Sequence, residues 1–219
     1  MATPDDIPET PKRRRSIVPT ATLVLIAALL TIGLVAIANF TRDRIARNQQ
    51  EWIKQHLDTL VSPQSYDNDP LTDTLPVSSP DLLGSATAVT AYRMRKAGAP
   101  VAVAIRSIAP DGYRGPLELL VVVAPEGHLI GVRVIRHNET PGLGDAFENR
   151  DADWLMRFRG LSLTNPPQQR WTVRRDGGDF DAFTGATITP RAIVKAVRRT
   201  LEFYRGNQKL LFKPSPVNE

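Results

Sequence analysis

The chain contains no cysteine. It cannot form a disulfide, supply a thiolate nucleophile, build a Cys-ligated zinc site or hold an ordinary iron–sulfur cluster. Its only histidines are His56, His128 and His137. They stand apart without metal-ligand spacing, so no metal site is expected. Neither a P-loop nor a GxGxxG fingerprint occurs, and Gly177-Gly178 does not make one. No Ser–His–Asp set and no carboxylate dyad marks a catalytic residue, so no stand-alone active site is expected. The net charge of +5 is mild, and no basic stripe is interleaved with aromatics. Nucleic acid is excluded as a partner on that ground. Any redox chemistry must come from an organic cofactor or from another subunit.

What is present is a folded domain behind a hydrophobic leader. A hydrophobic content of 42% and a charged content of 23% suit a globular chain. Residues 1–16 are polar and end in the basic run Lys12-Arg13-Arg14-Arg15. From Ile17 to Phe40 no charge occurs. As a helix rising about 1.5 Å per residue, that stretch spans the roughly 30 Å of bilayer hydrocarbon. The basic flank places the N-terminus in the cytoplasm by the positive-inside rule. Ala36-Ile37-Ala38 offers a signal-peptidase site as the competing reading, but the apolar run exceeds the roughly 7–15 residues of a secretory core. We therefore expect a single transmembrane signal anchor at 17–40, which exports the rest of the chain.

Residues 41–81 divide into an amphipathic continuation helix, with Ile45, Trp52, Ile53, Leu57 and Leu60 near one face, and a Pro-rich linker from Ser62 to Pro80. The domain proper is expected over 82–206, before a basic C-terminal tail at 207–219. Val101–Ile108, Leu117–Val123 and Leu129–Ile135 read as strands, the last two an antiparallel hairpin turning at Pro125-Glu126-Gly127. Leu117–Val123 is nearly all apolar, as a strand covered on both faces would be. A helix near Ala152–Phe158, a short strand at Trp171-Thr172-Val173 and a C-terminal helix complete the pattern. The fold class expected is α+β, an antiparallel sheet flanked by helices.

The chemistry-bearing stretch is Asp181-Ala182-Phe183-Thr184-Gly185-Ala186-Thr187-Ile188-Thr189-Pro190. Thr189 suits a helix N-cap and Pro190 the first helical position. Ile193, Val194, Val197 and Leu201 then recur at helical spacing. Thr187 falls beside a helix N-terminus, where free N–H groups and the helix dipole favour an anion.

Asp181-x-x-Thr184-Gly185-Ala186-Thr187 resembles the flavinylation motif of the FMN-binding domain in the G subunit of the Rnf/Rsx electron-transport complex. The C subunit of the Na+-translocating NADH:quinone reductase shares that motif. Gly112-Tyr113-Arg114-Gly115-Pro116 resembles the family's GYxGP turn, and His137-Asn138-Glu139-Thr140-Pro141-Gly142-Leu143-Gly144-Asp145 its ETPGLG loop. The likeness covers roughly Leu82 to Tyr204. It implies FMN bound covalently through a phosphoester on Thr187, attached by a separate flavin transferase using FAD and Mg2+. It also implies a periplasmic FMN domain on a bacterial inner-membrane protein, whose partners are the other membrane subunits of an ion-translocating complex. The protein would then relay electrons in that complex; a sensory or regulatory flavoprotein is the alternative.

The same likeness suggests roles for the neighbouring residues. Gly185 permits a positive φ and Ala186 keeps bulk away from the phosphate. Thr184 is a hydrogen-bond partner of the cofactor or of the local backbone. Asp181 serves recognition or metal positioning during attachment, or is a turn aspartate. Glu139, Thr140 and Leu143 line the flavin. Glu139 contacts the ribityl chain or a ring nitrogen, or stands as an exposed loop acid. Tyr113 stacks on the ring or packs in the core.

Overall fold

The computed structural model describes residues 18–148 and 154–213. The chain divides into two compact units, 1–49 and 50–219. The basic N-terminus at 1–16, Ile17, Ala152 and the end of the expected tail, 214–219, lie outside the described residues.

The first unit is dominated by helix α1, which begins at Val18 and continues unbroken to Leu60 in the second. Two expected helices, 17–40 and its continuation, are thus one. In its apolar stretch Leu23, Leu29, Leu34 and Ile37 are exposed. The hydroxyls of Thr31 and Thr41 donate back to the carbonyls of Ala27 and Ile37, at 2.8 and 2.7 Å. Among the described residues no helix is long and apolar enough to cross a membrane.

The second unit is built on a five-stranded antiparallel meander in the order β1-β2-β3-β4-β5. The strands are β1 (Thr74–Val77), β2 (Val89–Lys96), β3 (Ala99–Ala109), β4 (Leu117–Val123) and β5 (Leu129–Arg136). The hairpin of β4 and β5 pairs Val121 with Val132 across the ladder. Alternation divides β4 between two cores. Leu117, Leu119, Val121 and Val123 face one side, with Ile193, Val197 and Leu201 of the long helix α3 (Ile188–Leu211); the short helix α2 (Pro80–Leu83) adds Leu83 to the same core. Leu120 and Val122 face the other, with Leu57 of α1 and Val61 just beyond its end. Each fully buried Leu, Ile or Val contributes about 1.5–3 kcal/mol. Helix cover on both faces explains why the strand carries so little polar sequence.

Three local readings need correction. The proline-rich stretch after Ser62 is not only a linker, because it carries the edge strand β1. Pro76 is tolerated there because an edge strand leaves one row of N–H groups unpaired. Trp171–Val173 is not a strand; Val173 forms only an isolated bridge to Phe180, between two 3-10 turns at Gln168–Arg170 and Arg174–Asp176. The expected helix ending at Phe158 is a 3-10 turn over Trp154–Phe158, its tight geometry holding Trp154, Leu155 and Phe158 in the core.

Candidate functional site

The motif opens in a tight turn from Phe183 to Ala186, whose amide donates to the Phe183 carbonyl at 3.0 Å. Gly185 holds φ at +78°, and a Cβ added there would lie 3.2 Å from the Leu143 side chain. Positive φ and close packing together demand glycine. Phe183 is buried beneath the turn, meeting Trp154 edge-on at 5.1 Å between centroids and Phe147 at 6.2 Å. The exposed face of the turn is thus presented by an aromatic floor.

Helix α3 starts two residues earlier than the capping pattern suggests. Its N-cap is Thr187, which makes no side-chain capping bond. Thr189 is fully buried and its hydroxyl is drawn elsewhere, donating to Glu139 Oε2 at 2.8 Å. That bond is the physical reason the expected cap at Thr189 does not form. Thr187 keeps an uncommitted hydroxyl in a half-buried position at the head of the helix.

Glu139 is not an exposed loop acid: its side chain is buried. Its Oε1 accepts the Arg114 amide at 3.2 Å, which joins it to the turn at 112–116. Gly144 is packed so tightly over the carboxylate that an added Cβ would fall 2.7 Å from Oε2. His137 lies alongside, its Nδ1 accepting the Glu139 amide at 3.2 Å and its Nε2 facing Glu148 at 2.8 Å. Since an amide can only donate, Nε2 carries the proton and donates to Glu148.

These segments line a partly open cleft of about 140 Å³. Thr187, Gly185 and Ala186 come to it from the motif, and Glu139, Thr140 and Leu143 from the loop after β5. These six residues singled out from sequence therefore meet in one place. Thr184 and Asp181 do not line it. Thr184 is exposed on the turn. Asp181 is claimed by two guanidinium groups, Arg157 on Oδ2 and Arg174 on Oδ1, the latter at 2.9 Å. Both of its oxygens are thereby committed within the fold. Beyond the helix start, the Arg191 guanidinium hydrogen-bonds the Asp176 carboxyl at 2.6 Å and holds it below the usual carboxylate range.

Tyr113 also lines the cleft and is 63% exposed, which removes the core alternative for it. Ile188 and Thr189 are further lining residues. The sequence offers Thr189 only as a cap; its link to Glu139, 50 positions away, has no local signal. Among the described residues no group of three or more His, Cys, Asp or Glu side chains could hold a metal ion.

Comparison with known proteins agrees with this geometry. Residues 112–202, which span the turn, the loop and the motif, match the family model described as FMN-binding domain. The chain is 42% identical over 206 residues to the G subunit of the ion-translocating oxidoreductase complex of Shewanella loihica, covering 94% of this chain and 97% of that one. A protein of the same name from Pseudomonas aeruginosa is 45% identical, over 92% of this chain and 94% of its own. One from Vibrio cholerae is 41% identical, over 89% and 93%. With such identity sustained over nearly the whole length of each, the chain belongs to the G-subunit family of ion-translocating oxidoreductase complexes.

Proposed function

We propose that this chain is a membrane-anchored electron carrier. It holds FMN esterified to Thr187 and relays electrons within a multisubunit complex that couples electron transfer to ion movement. The observation that carries this reading is the Thr187 hydroxyl, uncommitted at the head of α3 and opening on the cleft. The names of the relatives, subunits of ion-translocating oxidoreductase complexes, support the assembly.

The residues fit the group. Leu143, Ala186 and Tyr113 offer apolar and aromatic wall to a flat ring, and Thr140 and Glu139 offer polar edges. The first turn of α3 has N–H groups without intrahelical partners and a dipole that favours the phosphate. Bound there, FMN supplies reversible one- and two-electron transfer; the chain positions and shields it.

Attachment requires a base, because threonine is a weak nucleophile. Glu139, the carboxylate that lines the cleft, already accepts hydrogen bonds on both oxygens. This favours a separate transferase using FAD and Mg2+. As the Thr187 Oγ–P bond forms, the pyrophosphate P–O bond breaks, AMP leaves and the hydroxyl proton passes to a base of that enzyme. Arg-bound Asp181 then acts as a latch of the motif and not as a metal ligand.

The anchor is the stretch 17–40, with the basic N-terminus cytoplasmic and the FMN domain periplasmic at the inner membrane. Its exposed leucines, and the Thr31 hydroxyl folded onto the Ala27 carbonyl, suit a hydrocarbon environment. The test is in-gel flavin fluorescence after denaturation, with mass spectrometry of the Thr187 peptide. Thr187→Ala should abolish both the fluorescent band and the FMN-sized adduct. A fluorescent Thr187→Ala protein would overturn the assignment.

A further inference from the structure

Among the described residues Glu139 is the one carboxylate buried at the wall of the cleft, 5% exposed. It joins three segments distant in sequence. Its Oε1 takes the Arg114 amide at 3.2 Å, its Oε2 takes the Thr189 hydroxyl at 2.8 Å, and its own amide is held by His137. Gly112 and Gly144 leave room for it: a Cβ at either would stand 3.0 or 2.7 Å from a carboxylate oxygen. The backbone on both sides is therefore shaped around this side chain.

The partners on its oxygens are neutral, an amide and a hydroxyl. Among the described residues no Lys or Arg side chain forms an ion pair with it, although four arginines pair with the aspartates just beyond the cleft. The two donors hold the carboxylate in place without cancelling its charge. In a site partly closed to water, such a charge acts on its surroundings far more strongly than in bulk solvent.

Resting on the Thr187 reading, we propose that Glu139 is a positioning and potential-setting residue of this cleft. Its hydrogen bonds fix the loop at 137–145 against the head of α3. Its uncompensated negative charge opposes the addition of electrons to a flavin held there, lowering that flavin's midpoint potential. The two roles separate by substitution. Glu139→Gln keeps the shape: its Oε1 accepts from Arg114, and its Nε2 donates to the Thr189 hydroxyl, which turns to accept. Thr189→Val keeps the charge and removes one brace.

The experiment is a redox titration of the full-length chain in detergent, coexpressed with a flavin transferase, beside thermal unfolding of the same proteins. Glu139→Gln should show a more positive midpoint potential with near-wild-type unfolding. Thr189→Val should unfold at lower temperature and hold a potential still below that of Glu139→Gln. An unchanged or more negative potential in a flavinylated Glu139→Gln overturns the role of Glu139 and leaves the Thr187 assignment standing. Wild-type protein without covalent flavin overturns the Thr187 assignment itself, and this proposal with it. Should Glu139→Gln fail to take up flavin, the wild type is titrated folded and then in denaturant. A folded potential below the denatured one supports the charge effect, and one above it overturns it.

Discussion

Trp154 holds the segment leading to Thr187 at two points. Its Nε1 donates to the Asp181 carbonyl at 2.9 Å, and its ring meets Phe183 edge-on with 5.1 Å between centroids. The indole thus fixes the chain on both sides of Ala182, just before the turn that presents Thr187. Trp154→Phe keeps a ring but leaves that carbonyl without its donor, a loss of about 1 kcal/mol. Trp154→Ala removes the packing as well, for about 3–5 kcal/mol. Denaturant unfolding should rank the two in that order. In-gel fluorescence per mole of folded protein should fall further in Trp154→Ala.

Gly185 gives a sharper local test. Its φ of +78° strains any side chain, and an added Cβ would meet Leu143 at 3.2 Å. Gly185→Ala should cost about 1–3 kcal/mol and push the turn and the 140–144 loop apart. Flavinylation should drop more than global stability. Leu143→Ala in the same background relieves the contact but not the dihedral strain, so the double variant should recover attachment only in part.

The parts of this protein legible in sequence are those set by local pattern. β4 and the apolar face of α3 declare themselves by periodicity, and Ile193, Val194, Val197 and Leu201 are all buried where the spacing puts them. Three motifs read from the sequence each contribute to the cleft lining, through Tyr113, through Glu139 and Leu143, and through Gly185 and Thr187. What escapes is non-local. β2 has no clear signal because its buried residues include Arg93 and Arg95, which make a buried strand read as a polar one. Their burial depends on Asp73, in the stretch that looks like linker, and on the Lys213 carbonyl after α3. Thr189 misleads for the same reason: its partner is in another loop.

That buried cluster yields a stability prediction independent of the cofactor. Asp73 pairs with Arg93 at 2.5 Å and Arg95 at 2.9 Å, with all three side chains at most 11% exposed. Removing the carboxylate leaves two guanidinium groups in a dry site, a loss of about 3–5 kcal/mol. Asp73→Ala should lower the unfolding free energy in urea by that amount. It should also raise hydrogen exchange in β1 and at the end of α3, which the same cluster clamps. High salt should not mimic it, since buried pairs are poorly screened.

Tyr204 makes stability depend on alkaline pH. Its hydroxyl donates to the carbonyls of Ala124 and Pro125, at 3.0 and 2.8 Å, tying α3 to the β4–β5 turn. Burial pushes its pKa up to about 12, above the ordinary phenol value of about 10. The fold therefore favours the neutral phenol. Its contribution is complete below about pH 10 and is lost as pH rises towards about 12. Tyr204→Phe removes both hydrogen bonds and should cost about 1–3 kcal/mol at a pH of about 8. The gap between wild type and variant should narrow steadily above a pH of about 10. Thermal unfolding of both proteins from about pH 8 to about pH 11.5 reads this directly, and a gap that widened with pH would reverse the sign assigned to Tyr204.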